Sequence, residues 1–360
     1  MTSKPVPVIV LAGFLGSGKT TLLNHLLRAS RGTRIGVVVN DFGAIEIDAM
    51  TVAGQLGDST VSLGNGCLCC AVDASELDVF LDRLTRPDAR LDVIVIEASG
   101  LAEPQELVRM VLASENERVM YGGLVEVVDA AEFDATLERH PEIARHLGIA
   151  DLVVLNKADR VDEAAGQRLR ERIGGLGGGA LVSATYGRID PELLFECRPR
   201  GERVGQLSFE DLREEDEDGD GHQDGAGHPH GQAHDGHLHA AYESVSFTAD
   251  EPLHPRRLLD FLDSRPEGLY RIKGFVDFGA LDPRNRYAVH AVGRFLRFHP
   301  EPWPVGERRQ SGIVLIGSGI DTAALRKELD ALPVAGPQDT PGEHTMWGVL
   351  RFVPDVPEGS

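Results

Sequence analysis

The first half of the chain alternates short apolar runs with segments of helical periodicity. The runs are rich in β-branched residues and lack polar alternation, which is typical of strands buried on both faces of a parallel sheet. They cover residues 8–11, 35–39, 93–96, 123–128 and 152–155, and the helical segments between them cover 20–29, 75–86 and 162–173. This alternation predicts a doubly wound, mostly parallel α/β domain over residues 1–204.

The pattern changes after residue 204 and changes again near residue 242. Residues 205–241 hold an acidic run and then six histidines, with too little apolar surface to fold alone, which predicts a flexible linker. Further on, strands are expected at 244–248, 270–278, 288–292, 295–299 and 312–316, and helices at 255–264 and 321–332. These elements predict a smaller α+β domain over 242–332. Residues 333–360 are rich in Pro and Gly and predict a poorly ordered tail, apart from 347–352.

Composition and charge narrow the class of protein. A chain of 360 residues that is 42% hydrophobic and 26% charged is expected to be soluble and to form two domains. Its formal net charge of −21 argues against a nucleic-acid partner, because phosphate binding needs a basic surface. The apolar run at 6–15 is too short to span a bilayer and lacks the features of a signal peptide. We therefore expect no membrane partner and a cytoplasmic location.

A glycine-rich segment between the first predicted strand and helix matches the pattern G-x-x-x-x-G-K-[ST]. In this context the backbone N–H groups of the loop and the helix N-terminus bind phosphate oxygens. Lys19 is expected to reach the β- and γ-phosphates, and the hydroxyl of Thr20 to ligate Mg²⁺. The predicted phosphate-binding residues are Gly13, Gly16, Ser17, Gly18, Lys19, Thr20 and Thr21.

The base of the nucleotide is predicted from a second motif, Asn156-Lys157-Ala158-Asp159, which follows the strand at 152–155. The Asp159 carboxylate can accept two hydrogen bonds from the N1–H and amino groups of guanine, a pair of donors that adenine lacks. Asn156 and Lys157 are expected to brace this loop, and Ser183 lies in a segment expected to complete the base contact. The motif therefore predicts GTP rather than ATP.

Glu97 and Gly100 follow the strand at 93–96. A carboxylate at the carboxyl end of a strand near the P-loop suits a Walker-B role toward Mg²⁺, directly or through water. Gly100 could approach the γ-phosphate and sense its loss. With Lys19 and Thr20, Glu97 completes the predicted catalytic set.

Three of the four cysteines, Cys67, Cys69 and Cys70, lie within four positions in a glycine-bounded segment. Thiolates bind Zn²⁺ or Cu(I), and these three could fill most of a tetrahedral site, completed by a fourth ligand or a second chain. Small buried residues and redox sensing are the alternatives. Asp41 and Glu46 are candidates to contact both Mg²⁺ and the transferred metal, and are equally compatible with solvated loop acids.

Together these motifs resemble the CobW family of P-loop metallochaperone GTPases. The matching segments are residues 13–24, 40–43, 66–70, 97–104 and 156–159, with 271–275 resembling a motif of the family's C-terminal domain. The resemblance implies slow, metal-responsive GTP hydrolysis, an internal metal site at the three cysteines and a client metalloprotein. Two positions depart from the family pattern: Asp41 stands where Glu is more frequent, and Ala98 where Thr is more frequent.

Three functions remain open at this stage. The leading one is a GTP-dependent zinc chaperone. The second is a cobalt chaperone serving cobalamin synthesis or nitrile hydratase, because Zn²⁺ and Co²⁺ bind similar ligands. The third is a metal-storage or sensor protein that binds nucleotide as a regulatory ligand. A metal site shared between chains would favour a homodimer.

Overall fold

The computed structural model describes residues 5–30, 32–39, 60–62, 74–86, 89–100, 102–177, 179–195, 242–306 and 308–354. Five predicted metal ligands lie outside the described residues, and so does the linker with its histidines: they are Asp41, Glu46, Cys67, Cys69 and Cys70.

The nucleotide-binding half is built on a parallel sheet of seven strands. In chain order they are β1 (Val6–Ala12), β2 (Ile35–Val39), β3 (Thr60–Ser62), β4 (Val93–Glu97), β5 (Val119–Asp129), β6 (Leu152–Asn156) and β7 (Ala180–Ser183). They are arranged in the order β3-β2-β4-β1-β5-β6-β7, and all neighbours are parallel. Because the strands are parallel, the carboxyl ends of β1, β4, β5 and β6 meet at one edge of the sheet.

Helices cover both faces of this sheet. They are α1 (Lys19–Ala29), α2 (Ala74–Leu84), α3 (Pro104–Leu112), α4 (Phe133–Arg139), α5 (Ile143–Ile149) and α6 (Glu163–Gly174). Apolar residues of α2 to α6 pack in one core, whereas α1 packs in the core on the opposite face. Local sequence explains several helix starts: Pro104 opens α3, and the Asp162 side chain caps α6 by accepting from Ala165 N.

The second domain is an antiparallel sheet with helices on one face. Its strands are β8 (Glu243–Ala249), β9 (Leu269–Val276), β10 (Asn285–Val292), β11 (Phe295–Pro302) and β12 (Ser311–Gly317), in the order β11-β10-β9-β12-β8. The helices are α7 (Pro255–Asp263), α8 (Thr322–Leu329) and α9 (Met346–Leu350), and they share a core with the inner face of the sheet.

The two domains share a hydrophobic core rather than a thin contact. Tyr270, Val292 and Ile316 of the second sheet pack among the buried residues of the α1 face. Across the same boundary, Ser318 Oγ donates to the Leu181 carbonyl at 2.7 Å, and Nε2 of His290 lies 2.9 Å from the Tyr121 carbonyl oxygen. Burial of apolar and polar groups together holds the domains in one arrangement.

The predicted fold class is confirmed: a doubly wound parallel α/β domain precedes a smaller domain with an antiparallel sheet. Helices α3, α4 and α5 were not predicted. The structure also differs from the tail predicted after residue 332, in which only residues 347–352 were expected to be ordered. Pro333 forms a bridge with Leu253, and Met346 is buried in the second core, so the packed domain continues past residue 332. No helix in the described part of the chain is long and apolar enough to cross a membrane.

Candidate nucleotide-binding site

The P-loop connects β1 to α1, and its glycines are required by close backbone contacts. Gly13 has φ +145°, and a Cβ there would lie 2.4 Å from the Val127 carbonyl oxygen on the neighbouring strand. Gly18 has φ +105°, and a Cβ there would lie 2.3 Å from Nδ2 of Asn156. Both positions therefore exclude side chains. Gly16, also with positive φ, is exposed at the tip, and Ser17 is buried inside the loop.

Lys19 begins α1, and its ammonium group is held inside the loop. Nζ donates to the Gly13 carbonyl at 2.8 Å and lies 3.4 Å from the Phe14 carbonyl. The side chain is buried, so the cation lies among backbone dipoles rather than in solvent. This places a fixed positive charge at the point where the loop and the N-terminus of α1 can accept phosphate oxygens.

Thr20 and Glu97 are brought together although 77 positions separate them in the chain. Thr20 Oγ1 donates to Glu97 Oε1 at 2.7 Å, and Glu97 is 6% exposed. Two oxygen groups side by side at the edge of the phosphate loop have the chemistry that Mg²⁺ requires. Gly100 lies against the same loop, because a Cβ there would come within 2.9 Å of the Leu15 backbone nitrogen.

The predicted base-recognition motif is joined to the P-loop by direct hydrogen bonds. Asn156 Nδ2 donates to the Ser17 carbonyl at 2.9 Å, and its Oδ1 accepts from Gly187 N at 2.8 Å. Lys157 Nζ donates to the Gly16 carbonyl at 2.8 Å. Asp159 lies in a short 3-10 helix (Ala158–Arg160) and is exposed. Asn156 and Lys157 thus hold the two loops together and leave Asp159 accessible.

Asp129 takes part in this arrangement and was not predicted. It ends β5, and its Oδ2 accepts from Lys157 Nζ at 2.6 Å, so the lysine bridges β5 and the P-loop. A polar residue at the carboxyl end of a buried strand was the available signal in the sequence.

The two remaining predicted nucleotide contacts are Ser183 and Thr21. Ser183 Oγ accepts from Arg170 at 2.9 Å, while Thr21 is exposed in the first turn of α1.

A second unpredicted residue is Glu126, a carboxylic acid in the middle of the apolar strand β5. It is 2% exposed, and its Oε2 has no hydrogen-bond partner among the residues that the structure describes. Loss of hydration raises its pKa to about 8, and the positive charge of Lys19 opposes this rise. Glu126 and Ser17 line a cleft of about 310 Å³ between the P-loop and α4, whose rim includes Arg139.

The strands that precede the predicted metal ligands in the sequence are neighbours in the sheet. Val39, the last residue of β2, lies opposite Glu97 on one side and Ser62 of β3 on the other. In the sequence, Asp41 comes two residues after the end of β2, which lies beside Glu97, and Cys67 comes five residues after the end of β3, which lies beside β2. Among the residues that the structure describes, no cluster of three or more His, Cys, Asp or Glu could hold a metal ion.

Comparison with known proteins agrees with this architecture. The family model described as "CobW/HypB/UreG, nucleotide-binding domain" matches residues 7–183, and the model "Cobalamin synthesis protein cobW C-terminal domain" matches residues 242–332. The two matches correspond to the parallel and the antiparallel sheets.

Three proteins illustrate the similarity. The "Zinc chaperone CobW" of Pseudomonas aeruginosa is 32% identical over 365 residues, a match that covers 91% of this chain and 92% of that protein. The "Zinc chaperone YjiA" of Escherichia coli is 34% identical over 198 residues, which cover 53% of this chain and 61% of that protein. The crystal structure of Zn(II)-bound YjiA GTPase from E. coli aligns with a TM-score of 0.39 and 23% identity, over 92% of this chain and 99% of that chain. On the two family models and the near full-length match, the chain belongs to the CobW family of P-loop GTPases.

Proposed function

We propose that this protein binds and hydrolyses GTP, and that its nucleotide state controls the transfer of Zn²⁺ to a client protein. The observation that carries the proposal is the direct linkage of three parts at one edge of the sheet. The phosphate loop bonds to the base-recognition loop through Asn156 and Lys157, and Thr20 bonds to Glu97.

Guanine selection is assigned to Asp159. Its exposed carboxylate belongs to the base-recognition loop, which the hydrogen bonds of Asn156 and Lys157 hold against the P-loop. A guanine base beside this loop would donate its N1–H and amino group to the carboxylate. The glycines, Ser17, Thr21 and Ser183 are proposed as further nucleotide contacts.

Lys19, Thr20 and Glu97 are proposed as the residues that act on the phosphates. Lys19 is already oriented into the loop by the Gly13 carbonyl, so binding requires little rearrangement of its side chain. The Thr20 hydroxyl and the Glu97 carboxylate fit Mg²⁺, with Glu97 bound directly or through water. A bound Mg²⁺ would neutralise charge that develops on the transferred phosphoryl group. Gly100, packed on Leu15, is proposed to respond to the γ-phosphate.

Zinc is proposed as the cargo, bound by Cys67, Cys69 and Cys70. The support is the thiolate chemistry of this motif and the similarity to the P. aeruginosa and E. coli relatives, which are both named zinc chaperones. Asp41 and Glu46 follow the strand that ends beside Glu97, and the cysteines follow the next strand of the sheet, so we expect a change at the γ-phosphate to alter metal coordination. Hydrolysis would then lower metal affinity or release the client.

An anaerobic competition titration of Zn²⁺ against Co²⁺, with and without Mg²⁺-GTP, tests this proposal. The protein used would lack residues 222–239, so that the histidines of the linker do not contribute. The control carries Cys67→Ser, Cys69→Ser and Cys70→Ser together. The proposal predicts tight binding that needs the three cysteines and changes with GTP.

The same titration separates the alternatives. Preference for Co²⁺ under competition would favour a cobalt chaperone, and metal binding without metal-stimulated GTP turnover would favour storage or sensing. Equal metal binding by parent and cysteine variant, with no effect of GTP, would contradict a metallochaperone role. The client is defined only by its need for the metal. A stoichiometry of one metal ion per two chains would indicate a homodimer.

A further inference from the structure

The chain that follows β7 connects the base-recognition loop to the second domain. Residues 184–195 are named here the linking segment. At its start, the Ala184 carbonyl accepts a hydrogen bond from Ala158 N at 3.0 Å. Further on, Gly187 N donates to Asn156 Oδ1 at 2.8 Å. Backbone groups of the linking segment therefore brace the base-recognition loop at two points.

The linking segment also lies directly on α1. A Cβ at Gly187, which has φ +66°, would lie 2.7 Å from Leu22 N, and Nε2 of His25 lies 2.7 Å from the Ile189 carbonyl oxygen. Beside this glycine, Tyr186 has φ +53°, a left-handed conformation that is rare for a bulky side chain. Such a conformation persists only where the surrounding contacts impose it. The position of this turn therefore depends on how both ends of the linking segment are held.

The far end of the linking segment is held by the second domain. Leu194 and Phe195 are buried in the core on the α1 face. Arg271 of β9 is 5% exposed, and its Nη1 donates to the Leu194 carbonyl. The Tyr242 hydroxyl donates to Asp190 Oδ2 at 3.0 Å. A buried cation and an aromatic hydroxyl of the second domain thus fix this end of the segment.

Strand register places Arg271 at the contact between the domains. Arg271 lies opposite Val292 of β10 on one side and opposite Ile316 of β12 on the other. Both neighbours are buried in the core that the two domains share. Burying a guanidinium costs free energy that an apolar side chain of similar size would not cost. Packing alone therefore does not account for an arginine here, whereas a directed hydrogen bond to the linking segment does.

We propose that Arg271 is a positioning residue for the guanine base, acting from the second domain through the linking segment. By holding Leu194, it keeps the turn at Gly187 against Asn156. The base-recognition loop then presents Asp159 in the orientation that guanine needs, so this role rests on the guanine site proposed above. Because coupling between two sites is reciprocal, bound GTP in turn strengthens the docking of the second domain.

Nucleotide selectivity of full-length variants tests this proposal. Arg271→Met keeps a side chain of similar length and removes the hydrogen-bond donors. The Kd for Mg²⁺-GTP should rise about tenfold, whereas the Kd for Mg²⁺-ATP should change less than about twofold, because only the base contact is weakened. In turnover of GTP the loss should appear in KM, with kcat within about twofold of the parent. Arg271→Lys can still donate to the Leu194 carbonyl and should bind GTP within about threefold of the parent.

His290→Leu is the matched control. His290 also reaches from the second domain, and its Nε2 lies 2.9 Å from the carbonyl oxygen of Tyr121, a residue that packs in the core on the opposite face of the parallel sheet. This variant should lower stability and leave the preference for GTP over ATP as in the parent. Equal loss of that preference in Arg271→Met and His290→Leu would show a general effect of domain docking and overturn the role of Arg271.

Tyr242→Phe is a milder change at the same end of the linking segment. It removes the hydroxyl that bonds to Asp190 and keeps the ring, so the fold should tolerate it. The Kd for GTP should rise about threefold, again without a change for ATP. If Arg271→Met does not fold, this variant decides the outcome, and an unchanged Kd for GTP would overturn the proposal.

The parent protein separates failure of this inference from failure of the guanine site. A parent that binds ATP as tightly as GTP would remove the guanine site, and the role of Arg271 with it. If the parent prefers GTP, Asp159→Asn loses that preference and Arg271→Met keeps it, the guanine site stands and the role of Arg271 is overturned.

Discussion

Glu126 allows a test of the site that does not require nucleotide. The substitution Glu126→Gln keeps the size and shape of the side chain and removes its ability to ionise. In the structure the carboxyl is buried in the centre of β5, and burial raises its pKa from 4.5 to about 8. The folded protein therefore holds a proton on Glu126 at pH 7, whereas the unfolded chain has released it.

The sign and size of the effect follow from linkage. Between pH 4.5 and about 8 the folded state binds one proton more than the unfolded state, so the free energy of unfolding falls as pH rises through this interval. Each pH unit contributes about 1.4 kcal/mol. Between pH 5.5 and 7.5 the parent should therefore lose about 3 kcal/mol through Glu126, a loss that Glu126→Gln does not have.

Urea unfolding of parent and Glu126→Gln, followed by far-ultraviolet circular dichroism at both pH values, measures this difference. Asp151, whose pKa is raised to about 6 by burial, titrates in both proteins and cancels in the comparison. Glu132→Gln removes the same charge from the exposed rim of the cleft and is the matched control. If the stability difference between parent and Glu126→Gln is the same at both pH values, Glu126 is not held protonated and the reasoning is refuted.

Three further predictions concern the nucleotide and the domain boundary. Asp159→Asn should shift the binding preference from GTP to XTP by at least about tenfold, because the amide can donate to the second carbonyl of xanthine. Competition binding measures this preference, and an unchanged preference for GTP would contradict the role of Asp159 in guanine selection. Glu97→Gln should keep the hydrogen bond to Thr20 but weaken Mg²⁺-dependent GTP turnover by about 10- to 100-fold. The Mg²⁺ concentration needed for half-maximal turnover should rise, and an unchanged concentration would contradict the role of Glu97 in binding Mg²⁺. Gly293→Ala should lower the free energy of unfolding by about 1–3 kcal/mol more than Gly306→Ala, measured by thermal unfolding. Both glycines have positive φ, but only a Cβ at Gly293 would meet a neighbour, 1.6 Å from Asp151 Oδ1. Equal losses in the two variants would contradict the packing at this boundary.

Much of the site was predictable because its motifs are contiguous. The P-loop combines glycines, a lysine and a hydroxyl within eight residues, and the structure places it between β1 and α1, as expected. The motif with Asn156, Lys157 and Asp159 follows β6, again as expected. Glu126 was overlooked because an acid within an apolar run does not disturb the strand prediction. Its burial and its missing partner depend on α4 and the P-loop, which pack around it from other parts of the chain.

The C-terminal end shows the limit of composition as a guide. A segment rich in Pro and Gly predicted a tail outside residues 347–352, yet Leu253 pairs with Pro333 in an isolated bridge, and Met346 is buried in the second core. Arg257 strengthens this contact by donating to the Pro333 carbonyl at 3.0 Å. A few apolar side chains and one hydrogen-bonding arginine outweighed the turn-forming residues, because burial on an existing core offsets the ordering entropy of a short segment.

The sequence by itself determined the fold class, the phosphate loop and the guanine motif, since strand and helix periodicity and short-range glycine patterns are local properties of the chain. The tertiary structure alone decided which distant residues meet. The order of the strands places Glu97 on Thr20 and Asn156 on the Ser17 carbonyl, and it joins Lys157 to Asp129. Strand order depends on the packing of whole helices against the sheet, a long-range balance that no single segment of sequence encodes.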